Sequence, residues 1–122
     1  MMNRRILVVE DNRDNLMLIV DMLRTLRYEV LTATDGQRGL AVARLEKPDL
    51  ILMDLALPFM DGWTVAEQIK ALPELKHIPI IAVTAHAMIG DRERALRAGC
   101  DEYVSKPINV PELAGKISRL LD

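Results

Sequence analysis

Residues 50–54 read Leu-Ile-Leu-Met-Asp. Four apolar residues in succession, with no polar alternation, mark a strand covered on both faces. The run follows Pro48-Asp49 and ends on an acid, Asp54. Two other stretches repeat the pattern: Ile6-Leu7-Val8-Val9 leads into Glu10 and Asp11, and Ile80-Ile81-Ala82-Val83 leads into Thr84. Glu29-Val30-Leu31-Thr32-Ala33 carries polar positions and Glu102-Tyr103-Val104 is short, as expected of strands at the edges of a sheet.

Helical periods lie between these runs. Leu16, Ile19, Val20 and Leu23 form one stripe, Val65, Ile69 and Leu72 a second, and Leu113, Ile117, Leu120 and Leu121 a third. Arg38 to Glu46 and Asp91 to Ala98 are rich in good helix formers. Pro73 closes the helix before it, Gly99 is placed to end another, and Asn109 with Glu112 resembles an N-cap and its capping-box partner. A β-α unit repeated five times packs as a doubly wound α/β fold with parallel strands and right-handed crossovers. In the flavodoxin-like order 2-1-3-4-5 the polar strands fall at the edges, and ligands bind at the switch point between strands one and three. Glu10, Asp11 and Asp54 end those two strands.

Composition narrows the function. The 122 residues suit one domain over 1–122, half of them are hydrophobic, and aromatics make up 3%. Aliphatic and methionine side chains must fill the core. A net charge of −2 provides no long-range attraction to nucleic acid or an anionic membrane. Charges interrupt every apolar run before membrane-spanning length, and the run after Arg4-Arg5 is too short for a signal peptide. The single cysteine, Cys100, excludes an internal disulfide and fits a reducing, cytoplasmic setting, where it reads as a core filler.

Carboxylates crowded at strand ends repel one another unless a cation joins them. Oxygen ligands without a His or Cys pattern favour Mg²⁺ over zinc. Asp54 is then a candidate nucleophile, since carboxylates form aspartyl phosphates, with Lys106 as a point charge and Thr84 as a hydroxyl donor for phosphate oxygens. Taken singly, each of these acids would serve equally well as a cap at a helix start.

The motifs Val8-Val9-Glu10-Asp11-Asn12, Pro48 through Asp54, Leu57-Pro58-x-x-Asp61-Gly62, Ile80 through Ala85, and Gly99-Cys100-x-x-Tyr103-Val104-x-Lys106-Pro107 run through nearly the whole chain. In this order they resemble the response regulator receiver domains of two-component signalling, of the standalone type and nearest in look to cell-division and polarity regulators. The resemblance implies a phosphoacceptor at Asp54, metal ligation by Asp11 and Asp54, help from Glu10 through water, and a contribution from the Ala56 backbone carbonyl. It implies phosphate sensing by Thr84 and Lys106, a switch role for Tyr103, and a cis Lys106-Pro107 bond. Glu10 stands where an aspartate is commoner. Ala56 and His86 occupy positions that tune phosphoryl lifetime; His86 also reads as an ordinary exposed helix-start residue.

The implied partners are a histidine kinase or histidine phosphotransferase and a downstream protein met by the fourth helix, fifth strand and fifth helix. Met17, Leu18 and Met22 lie outside the core stripe of the first helix, either as an exposed docking flank or facing the rest of the protein. The expected activity is that of a non-enzymatic switch with slow self-dephosphorylation. A receiver cut from a hybrid kinase or multidomain regulator shares these motifs. A haloacid-dehalogenase-type hydrolase is disfavoured because Ala56 stands where a second acid is needed. A flavodoxin-like electron carrier is disfavoured by the acidic loop at Glu10-Asp11-Asn12-Arg13.

Overall fold

The computed structural model describes residues 3–85 and 90–121. Ten elements alternate along it: β1 (Arg5–Val9), α1 (Arg13–Thr25), β2 (Glu29–Ala33), α2 (Gly36–Glu46), β3 (Leu50–Asp54), α3 (Gly62–Ala71), β4 (Ile80–Thr84), α4 (Asp91–Arg97), β5 (Glu102–Ser105) and α5 (Val110–Leu121). The strands form one parallel sheet in the order β2-β1-β3-β4-β5. The two strands with polar character are its edges, because only the three central ones are covered by a neighbour on each side and a helix layer on each face.

Successive side chains of a strand point to opposite faces, so each apolar run feeds two cores. Leu7, Val9, Ile51, Met53, Ile80 and Ala82 meet Ala43 of α2, Val65, Ala66 and Ile69 of α3, and Ala95 of α4. Ile6, Val8, Leu50, Leu52, Ile81 and Val83 meet Ile19 and Leu23 of α1 and Leu113 and Ile117 of α5. Each fully buried Leu or Ile contributes about 1.5–3 kcal/mol, so the runs that set the strands also supply most of the driving force.

Helix starts are locally encoded. The side chains of Asn12, Asp35, Asp61 and Asn109 accept from the N–H groups of Asn15, Arg38, Thr64 and Glu112 at 2.8–2.9 Å. Gly99 ends the α4 region at φ +103°, as its position predicts, and Cys100 is a buried thiol that burial pushes up to about 12. The Lys106–Pro107 peptide is cis.

The two alternatives for the flank of α1 divide between its residues. Met17 and Leu18 are exposed, but Met22 is half-buried and packs on the core beneath α1. It lies three residues from Ile19, on the side of the helix that carries the stripe, so its apolar surface serves the fold rather than a flank. His86 lies outside the described residues.

Candidate functional site

Parallel strands end at the same edge of the sheet, and backbone hydrogen bonds carry the ladder one step past the last strand residues. Glu10 N–H donates to the Ala33 carbonyl at 3.0 Å, Leu55 N–H to Val83 at 3.0 Å and Lys106 N–H to Thr84 at 2.7 Å. Residues distant in sequence are thereby held side by side, with Asp54 between the ends of β1 and β4.

Glu10 and Asp54 are buried, at 1% and 3% exposure, while Asp11 faces solvent. One carboxylate oxygen from each lies within 4.8 Å of the others, the spacing of a shared cation site. Lys106 Nζ reaches Glu10 Oε1 at 2.7 Å and Asp54 Oδ2 at 3.5 Å. Asp54 Oδ1 accepts the Ala56 N–H at 3.0 Å, and Glu10 Oε2 accepts the Asn12 N–H at 3.2 Å. Thr84 is buried beside them at the end of β4.

The electrostatics follow from this crowding. Burial, reinforced by the hydrogen bond and charge of Asp54, lifts Glu10 from 4.5 to about 7 against the pull of Lys106 and the Asn12 N–H. Burial alone would lower the Lys106 ammonium. Its bond to Glu10 and the charge of Asp54 outweigh that and hold it above its ordinary value. One lysine therefore faces the two buried carboxylates, and the exposed Asp11 lies beside them, a donor set of hard oxygens that fits an oxygen-ligated divalent cation.

The structure brings Glu10, Asp11, Asp54, Thr84, Lys106 and the Ala56 backbone to one end of the sheet. Tyr103 stands apart from this cluster: it pairs with Ala82 in the ladder and packs on the core beneath α2 to α4, with its hydroxyl buried. Met17 and Leu18 lie on α1, which starts directly after the acidic loop.

Gly62 is a residue whose position at the site sequence reading did not single out. A Cβ there would overlap the Asp54 carbonyl oxygen and lie 2.8 Å from Leu55 Cα, and its N–H donates to the Leu55 carbonyl at 3.2 Å. The start of α3 is thus pressed against the backbone of Asp54, an approach that only glycine permits. The visible signal was the Asp61-Gly62 pair closing the loop after Asp54.

Comparison with known proteins agrees with this geometry. Residues 6–118 match the model of the response regulator receiver domain. The polar-differentiation response regulator DivK of Brucella anthropi is 44% identical over 120 residues, covering 98% of each chain. Among solved structures, a response regulator from Chloroflexus aurantiacus superposes with a TM-score of 0.95 at 28% identity, covering 98% of both chains. The receiver domain of a sensor histidine kinase from Pseudomonas aeruginosa, with a magnesium ion coordinated in its active site cleft, superposes with a TM-score of 0.91 at 40% identity and the same coverage. Fold, motif order and relatives agree, and the chain belongs to the response regulator receiver domain family.

Proposed function

We propose that this receiver is a DivK-like signalling switch, in which Asp54 takes a phosphoryl group from the histidine of a kinase or phosphotransfer protein with the aid of Mg²⁺. The observation that carries the reading is the placement of the buried Asp54 carboxylate, with Glu10 and Asp11 oxygens within 4.8 Å and the Lys106 ammonium at 3.5 Å.

Glu10, Asp11, Asp54 and the Ala56 carbonyl are the groups that would hold the cation. When bound, Mg²⁺ supplies positive charge that relieves the repulsion among the acids and favours phosphoryl approach. The Ala56 N–H holds one Asp54 oxygen in place. The Asp54 carboxylate attacks phosphorus, the bond from phosphorus to the donor imidazole breaks, and its electron pair returns to the ring nitrogen. With acetyl phosphate the same attack releases acetate. Lys106, already beside Asp54, offsets charge on the transferred group, and Thr84 donates its hydroxyl to the new oxygens.

The chain is a phosphoacceptor rather than a turnover enzyme in this reading. Ala56 places no polar side chain beside the acyl phosphate to orient water, so self-dephosphorylation is slow. Movement of Thr84 toward the phosphoryl group, followed by Tyr103, changes the surface of α4, β5 and α5 that a downstream protein meets in the cytoplasm. Met17 and Leu18 are the α1 side chains offered to the phosphodonor. A second reading, a receiver within a longer hybrid kinase, draws on the 40% identity to the receiver of a sensor histidine kinase. The mass of the protein in its native cells separates the two.

The test is intact mass after incubation with acetyl phosphate and Mg²⁺. One phosphoryl addition is expected, absent without metal and absent in Asp54→Asn. Undiminished labelling of Asp54→Asn would remove Asp54 from its role.

A further inference from the structure

The guanidinium of Arg94, on α4, lies 4.5 Å from the centroid of the Trp63 ring, on α3. The two helices differ in how firmly they are held. Trp63 immediately follows Gly62, whose missing side chain lets α3 press on the Asp54 backbone. Val65, Ala66 and Ile69 bury a continuous stripe, so α3 is fixed relative to the phosphoacceptor. Among the described side chains of α4, Ala95 is the buried one, and Ala98 caps its end. Two alanines remove little apolar area from water. Its N-cap, Gly90 at φ +95°, makes no side-chain cap bond. A cation over an indole face at an exposed site is worth about 0.5–1 kcal/mol, comparable to burying one methyl group, so the Trp63–Arg94 stack ties α4 to the layer about as strongly as either alanine does.

We propose that the Trp63–Arg94 stack is a latch that holds α4 in its unphosphorylated position, and that phosphorylation of Asp54 releases it. The inference rests on the switch reading above. α3 stays with the Asp54 backbone, whereas α4 is the next element after Thr84 in chain order. Motion of Thr84 toward a phosphoryl group therefore shears one partner of the stack past the other. Free energy that holds the latch closed lowers the population of the conformer that accepts the phosphoryl group, so weakening the latch raises that population and the labelling rate with it.

The test measures the initial rate of Mg²⁺-dependent labelling by acetyl phosphate, by intact mass, together with Trp63 emission. Both are followed in the wild type, Arg94→Ala, Trp63→Leu and the double variant, with emission read only where Trp63 is present. Arg94→Ala should be labelled about two- to five-fold faster, the span of an exposed cation–π contact. Its emission before phosphorylation should already resemble that of the phosphorylated wild type. Trp63→Leu keeps an apolar side chain on α3 and should give the same acceleration, and the double variant should gain nothing further. Equal rates in the wild type and both single variants, with wild-type labelling intact, would overturn the latch alone. Additive gains in the double variant would likewise overturn it, since the two residues would then act separately. A wild type that accepts no phosphoryl group would overturn the switch reading and the latch with it.

Discussion

The two ends of the sheet carry the same kinds of charged side chain and use them in opposite ways. At the amino-terminal end every named charge completes a bond the fold needs. Asp49 accepts the Arg5 N–H at 2.7 Å, Arg5 pairs with Glu46, and Asp101 accepts both the Ile80 N–H and Lys70 Nζ, at 2.9 and 3.1 Å. Lys70 also donates to the Ile78 carbonyl at 2.7 Å. At the carboxyl-terminal end three acids cluster, and the two buried ones share one lysine. The first end is balanced for stability. The second leaves negative charge uncompensated, a cost that folded proteins accept where a ligand will meet it.

The contrast is broken most forcefully at Lys106. Lys106→Met leaves the buried Glu10 and Asp54 carboxylates facing each other, and loss of one partner from such a cluster costs about 3–5 kcal/mol. Urea unfolding without metal should show that loss, and millimolar Mg²⁺ should return much of it. A loss that Mg²⁺ leaves untouched would mean that the acids do not share a cation.

A smaller effect comes from pH. Glu10 titrates near 4.5 when unfolded and near 7 when folded, so between those values the folded state holds the extra proton. Stability of the metal-free protein is therefore highest at the acidic side of this window. It declines as pH rises toward 7, and above that the full cost, on the order of 3 kcal/mol, is present. Thermal unfolding of wild type and Glu10→Gln from pH 5 to 8 checks the sign, because the variant should lack this component of the slope.

Asp101→Ala tests the opposite end. It leaves the Ile80 N–H and Lys70 short of an acceptor and should cost about 1–2 kcal/mol, with no recovery on adding Mg²⁺. Recovery there would erase the distinction between the two ends.

The smallest effect concerns the loop beside the site. Phe59 is fully exposed at φ +67°, and the Met60 N–H donates to the Pro58 carbonyl at 2.7 Å. This is the strained form of γ-turn, with a bulky residue at its centre. Phe59→Gly relieves the strain and forfeits no packing, so it should raise stability by about 1 kcal/mol in the same unfolding assay.

Much of this molecule is legible along the chain because its determinants are local or periodic. The unbroken apolar runs at Ile6, Leu50 and Ile80 set the central strands, and the caps at Asn12, Asp35, Asp61 and Asn109 are written beside the helices they start. Met22 shows where periodicity falls short. Its spacing allows either a flank or a core edge, and only the packing of α1 on the sheet chooses between them.

By itself the sequence determined the alternation of strands and helices, the edge positions of β2 and β5, and the gathering of Glu10, Asp11, Asp54, Thr84 and Lys106 at one end. Parallel topology delivers every strand's carboxyl end to the same place. Only the tertiary structure decided that Lys106 sits closer to Glu10 than to Asp54, that Gly62 presses α3 onto Asp54, and that Arg94 covers Trp63. Those are distances between side chains on different elements. They depend on how the layers pack, which no local pattern or period encodes.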